Sequence, residues 1–156
     1  MVCVDLLDTA VEKLRHYSKE FNVEQIIVAH KGDIANFDIH EYDYIVAVSS
    51  LEHVDSRDTL EKVLINMRNG TNTNGVNCII VNSEIEEVDL ETGAKMEALM
   101  EVNISTKEML DTLRRIYTAW EEVLVLSKPL EYQITRQETS VLLKTTATTF
   151  AVQKPI

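Results

Sequence analysis

Three short groups of residues stand just after apolar, β-prone runs: Asp5-Leu6-Leu7, Gly32-Asp33-Ile34 and Val48-Ser49-Ser50. In an open parallel sheet that is where ligands bind, outside the carboxyl ends of the strands. A carboxylate there can accept hydrogen bonds from two vicinal hydroxyls, the pair a ribose offers. Asp5 fits that use, and it fits equally an N-cap or a solvated strand end. Asp33 can accept from an exocyclic purine amine, or it serves the turn that Gly32 starts. His53, which follows Ser49-Ser50-Leu51-Glu52, can orient a substrate or act as a base near neutral pH. Capping the next helix or leaning into solvent are its other uses, and Glu52 beside it has the same two readings.

Other chemistries find little support. Ser49 and Ser50 lack the glycines of a nucleophile elbow, and no His and acid partners can be assigned to them. The four histidines and two cysteines form no His-x-x-x-His or Cys-x-x-Cys ligand set, so a structural metal is not expected. Glu84, Glu86, Glu87, Asp89 and Glu91 can favour a cationic or uncharged substrate, or simply form a solvated loop face. Tyr117 and Trp120, at helical spacing, read as core.

The elements that must position these residues follow from periodicity. Met1 to Leu7 is a β-rich run with an acid, Asp5, near its end. Asp8 or Thr9 can cap a helix in which Val11, Leu14, Tyr17 and Phe21 recur at three- and four-residue spacing, ending near Phe21-Asn22. Gln25 to His30 predicts a second strand, continuously apolar as in a sheet covered on both faces. Tyr42 to Ser50 predicts a third, followed by a helix with Leu60, Val63, Leu64 and Met67 on one face. Asn69 to Gly75 stops that helix, and Val76 to Asn82 is the fourth strand. Ser83 to Glu101 reads as a loop or lid with a short helical tail. Ser105-Thr106-Lys107-Glu108 is a capping box, opening a helix whose inner face is Met109, Leu110, Leu113, Ile116, Tyr117 and Trp120. Strand-like runs at 122–128, 131–135, 141–144 and 148–153 predict antiparallel hairpins. The order βαβ, βαβ, then α and antiparallel β predicts an α/β layered sheet with a parallel part and an antiparallel edge.

Composition sets the outer bounds. The chain has 156 residues, 45% of them hydrophobic, enough for one domain with a real core. Its net charge of −11, with no run of bases, argues against a nucleic-acid or anionic-membrane surface. No apolar stretch approaches the ~20 residues of a membrane helix. Asp5 and Asp8 are wrong for a signal peptide. Cys3 and Cys78 sit in apolar runs and read as small core residues, so a reducing cytoplasm is the expected setting.

Val4 to Leu14, then Gly32-Asp33-Ile34, then Tyr42 to Val54 together resemble the class I S-adenosylmethionine-dependent methyltransferases. Thr71 to Val81 is similar to that family's turn and fifth strand, with Asn74-Gly75 in place of the usual proline-glycine pair. Trp120 to Pro155 is similar to the hairpin-rich finish of the tellurite-resistance type of small-molecule methyltransferase. The resemblance implies a Rossmann-like three-layer sandwich, mostly parallel with an antiparallel C-terminal edge. It implies S-adenosylmethionine as cofactor, with Asp5 and Leu6 at the ribose, Asp33 and Ile34 at the adenine, and Val48 and Ser49 along the cofactor. It implies a small-molecule acceptor near Ser50 and Glu52, which His53 touches.

The family's first strand and glycine-rich loop have no counterpart ahead of Asp5 in this sequence, and no two of the four glycines are close enough to form one. The expectation is therefore a single methyltransferase-like domain over 1–156 that is incomplete at its N-terminus and binds the cofactor poorly. Strand edges left without partners would favour a homodimer. A non-catalytic interaction or oligomerisation module is the alternative.

Overall fold

The computed structural model describes residues 1–156, whose contacts gather into two compact units, Met1–Asp38 and Ile39–Ile156. The smaller unit is one βαβ element. Strand β1 (Val2–Asp5) runs parallel to β2 (Val28–Lys31), with Asp5 opposite Lys31, and helix α1 (Asp8–Glu20) connects them. The cap of α1 differs from expectation: Leu7 holds the N-cap position without a side-chain bond. Asp8 lies in the first turn, where its charge faces the helix dipole and bonds Lys31 Nζ at 2.6 Å. The second strand is shorter than Gln25 to His30 and is not covered on both faces, since Ile26 and Val28 are exposed. Cys3 and Cys78 are free thiols and only half-buried.

The larger unit carries the core. Strand β3 (Tyr42–Val48) runs parallel to β4 (Thr71–Asp89), and α2 (Arg57–Asn69) makes the crossover. Ser56 caps α2 by accepting from Thr59 N, and Leu60, Val63, Leu64 and Met67 are all buried, as their spacing predicts. Gly70 follows directly, and a Cβ there would lie 2.2 Å from Ile39 O, so only glycine lets the two backbones approach. Helix α3 (Thr106–Ile116) opens on the Ser105–Glu108 capping box and buries Met109, Leu113 and Ile116. Tyr117 Oη accepts from Asn77 Nδ2 at 3.0 Å and donates to Leu64 O at 3.3 Å, tying the end of α3 to β4 and α2. Burial pushes the Tyr117 phenol well above its ordinary value.

Two expectations are corrected here. Ser83 to Glu101 is not a lid with a helical tail. Strand β4 continues through it to Asp89, with Ile85 and Glu87 buried and Glu84 and Glu86 exposed, a period-two pattern concealed by the density of acids. After a turn at Asp89–Gly93 the chain forms the short β5 (Lys95–Met96), antiparallel to β4. The four C-terminal strand-like runs are two long strands, β6 (Glu121–Arg136) and β7 (Thr139–Gln153), because Pro129 is accommodated in the edge strand β6. The order of the main sheet is β3-β4-β7-β6, with β5 on β4. Only β1–β2 and β3–β4 are parallel, so the sheet structure is mixed rather than mostly parallel. The α/β class stands, with a parallel portion and an antiparallel C-terminal edge.

Inward residues of β4 and β7, among them Ile79, Val81, Val141, Leu143, Phe150 and Val152, form the core of this unit with α2 and α3. On β3 and β6, by contrast, Tyr44 (61% exposed), Val46, Val48, Leu124 and Leu126 face outward.

Candidate functional site

In the smaller unit β1 ends in Asp5, and Asp33 lies in the turn that follows the end of β2 at Lys31. Asp5 closes β1 and its Oδ1 accepts from Leu7 N at 2.8 Å, an Asx turn that bends the chain into α1. Oδ2 makes no bond within the protein. Asp5 also lines a cleft of ≈ 190 Å³ together with Cys3, Val4, Ala10, Val11 and Leu14. Leu6 next to it is exposed. Gly32 N donates to Asp5 O at 3.0 Å, which brings the Gly32-Asp33-Ile34 loop to the same end of the strand pair.

Asp33 is used differently. Its Oδ1 accepts from Ala35 N at 2.9 Å and its Oδ2 from Asn36 Nδ2 at 3.0 Å, so both oxygens already close the turn after β2. That is the turn-forming role open to it from sequence. Ile34 is half-buried beside it.

In the larger unit the residues after β3 converge on a buried polar group. Val48 and Ser49 are exposed and Ser50 is half-buried. Ser49 N donates to Ile80 O, and its φ of 44° places a serine in the left-handed region at the strand end. Leu51–His53 then forms a 3₁₀ turn whose first two residues are buried. Glu52 is 0% exposed, and its Oε1 accepts from Asn82 Nδ2 at 2.5 Å. The same Asn82 nitrogen lies 3.3 Å from Ser49 Oγ. Glu52 Oε2 and Asn82 Oδ1 are buried and have no partner. An acceptor left so costs about 1–3 kcal/mol. His53 turns away from this group, half-exposed, with Nδ1 3.4 Å from Glu101 Oε2.

Asn82 was not among the residues singled out from sequence. Its signal was available: it ends the apolar run of β4 as Ser49 ends that of β3, and the same strand-end rule selects it. No group of three or more His, Cys, Asp or Glu side chains is placed to hold a metal ion, and no helix is long and apolar enough to cross a membrane.

No protein-family model and no curated protein matches the chain. Solved structures do. TehB from Haemophilus influenzae superposes with a TM-score of 0.72 at 18% identity, over 98% of this chain and 49% of its own. An S-adenosylmethionine-dependent methyltransferase from Methanosarcina mazei gives 0.68 at 13% identity, over 99% of this chain and 82% of its own. The 1,6-didemethyltoxoflavin N1-methyltransferase of Burkholderia thailandensis, solved with 1,6-didemethyltoxoflavin and S-adenosylhomocysteine, gives 0.57 at 12% identity, over 99% and 61%. The chain thus has the fold of the class I S-adenosylmethionine-dependent methyltransferases. TehB is among the structures it is similar to, and the chain spans about half of TehB's length.

Proposed function

We propose that both units belong to one methyltransferase domain, which transfers a methyl group from S-adenosylmethionine to a small-molecule acceptor. The observation that carries this reading, beside the shared fold, is Asp5: it ends β1, lines a cleft, and keeps one carboxylate oxygen for an outside donor. A free carboxylate oxygen fits a ribose hydroxyl. Asp33 fits an adenine amine less well, since a third donor would have to share oxygens already engaged.

When bound, the cofactor supplies an activated methyl on a sulfonium. The tasks left to the chain are to align the acceptor and exclude water, more than to exchange protons. In the smaller unit Asp5 with Leu6 would hold the ribose and Ile34 with the Asp33 turn would flank the adenine, and in the larger unit Val48 and Ser49 would be the cofactor-contacting residues. Ser50 and Glu52 face the acceptor. His53, paired with Glu101, orients it from the exposed side. A small acceptor is supported by the compound bound to the Burkholderia enzyme. The cytoplasm is the proposed setting, where the thiols of Cys3 and Cys78 stay reduced.

Calorimetric titration with S-adenosylhomocysteine tests this. Binding by the wild type that weakens at least about tenfold in Asp5→Asn, a difference of about 1.4 kcal/mol, is the expected result. No binding by the wild type up to the solubility limit overturns it. The exposed Tyr44, Val46, Val48, Leu124 and Leu126 favour the second reading, an interaction module that self-associates through strand edges and this apolar surface. A monomer by light scattering at high concentration counts against that.

A further inference from the structure

Glu52 Oε2 and Asn82 Oδ1 are the only buried side-chain nitrogen or oxygen atoms in the chain that lack a hydrogen-bond partner. They belong to residues already joined to each other, Asn82 Nδ2 donating to Glu52 Oε1, so the orientation of the amide is fixed: its nitrogen serves the carboxylate and its oxygen is left over. The result is two adjacent residues presenting acceptors only. Beside them stands Ser49, exposed, its Oγ 3.3 Å from Asn82 Nδ2 and its backbone held at a positive φ. Strain of that kind at a strand end, in contact with a residue whose buried oxygen is unmet, marks a place shaped for something other than stability.

Building on the methyl-transfer reading, we propose that Glu52 and Asn82 together receive the N–H donors of an ammonium or amine group that enters past Ser49. The chemistry selects that group over its rivals. Two acceptors need two donors, and a hydroxyl brings one. Water brings two but leaves the buried carboxylate without a counter-charge, whereas an ammonium supplies both. The net charge of −11, and Glu101 next to His53, favour a cation at this end of the unit. Two molecules of the proposed reaction carry such a group, an amine that accepts the methyl and the cofactor with its own α-ammonium, and the test separates them.

The readout is the side-chain amide signal of Asn82 in ¹⁵N-labelled full-length chain, assigned by its loss in Asn82→Asp. Ethylammonium chloride is titrated against ethanol and against sodium chloride at matched ionic strength, and S-adenosylhomocysteine in a separate arm. A saturable shift with ethylammonium, none with ethanol or salt, and at least tenfold weaker response in Glu52→Gln is the result expected for an amine acceptor. A shift with S-adenosylhomocysteine but not ethylammonium upholds the ammonium site and assigns it to the cofactor. An equal response to ethanol, or none to either ammonium compound, overturns the proposal in favour of enclosed water. The wild-type arms decide even if Glu52→Gln fails to fold. A saturable ethylammonium shift without any S-adenosylhomocysteine binding refutes the methyl-transfer reading and leaves the ammonium site standing.

Discussion

Glu87, fully buried on β4, is held by Arg136 at the end of β6: Arg136 Nη2 donates to Oε1 at 2.9 Å and Nε to Oε2 at 3.3 Å. Leu99 N donates to Oε1 as well, at 3.3 Å. This forked pair is why an acid can occupy an inward position of β4, and it fastens the far end of the C-terminal hairpin to the core strand. The hydrogen bond to Glu87 raises the Arg136 guanidinium above its ordinary value, against the opposing effect of its own partial burial.

Arg136→Ala therefore strands a buried carboxylate and is expected to cost about 3 kcal/mol. In a Glu87→Leu background the same change should cost under about 1 kcal/mol, because no charge is left unmatched. Denaturant unfolding of the four proteins of the cycle measures the difference. Equal costs in both backgrounds would show the pair to be uncoupled.

Asp5 and Asp33 should separate cleanly. Asp33→Ala removes the acceptors for Ala35 N and Asn36 Nδ2 and is expected to lower stability by about 1 kcal/mol, with at most a small change in S-adenosylhomocysteine affinity. Asp5→Asn keeps an oxygen for Leu7 N, so it should spare stability and weaken the ligand. Thermal unfolding and calorimetry on both variants check this, and a reversed pattern would exchange the two assignments.

The β6–β7 hairpin turns on Gln137-Glu138, with φ of 45° and 75° and Arg136 paired to Thr139. Both signs match a type I′ turn, which favours Asn-Gly over the residues present. Gln137→Asn with Glu138→Gly should stabilise the protein by about 1 kcal/mol, raising Tm by roughly 2–4 °C. Differential scanning calorimetry reads it directly.

Acid should destabilise the fold. Thr106 and Thr146 hydroxyls hold the Glu84 carboxyl below the usual value of 4.5, Ser105 does so for Glu108, and Arg114 for Glu122. Backbone N–H groups of Thr92 and Glu91 lower Asp89 from 3.8. Folded values below unfolded ones mean stabilisation that is complete above about pH 5 and is lost as pH falls through the folded values. Tm measured from about pH 7 to about pH 3 should hold nearly level and then drop, and Glu108→Gln should make the drop shallower.

The residues of this chain by themselves determined the local elements. The three- and four-residue spacing of Leu60, Val63, Leu64 and Met67 and the Ser105–Glu108 box specify α2 and α3, because helix signals are carried by neighbours within a turn. They also located the strand ends where Asp5, Asp33 and Ser49 stand. Only the tertiary structure decided that β4 runs on through its acids to Asp89, since an inward Glu87 is tolerable only once Arg136, 49 residues away, supplies its charge. It likewise decided that Asp33 is spent on its own turn and that Glu52 is buried against Asn82, 30 residues on. Burial and hydrogen-bond partners come from residues distant in the chain, and no local pattern encodes them.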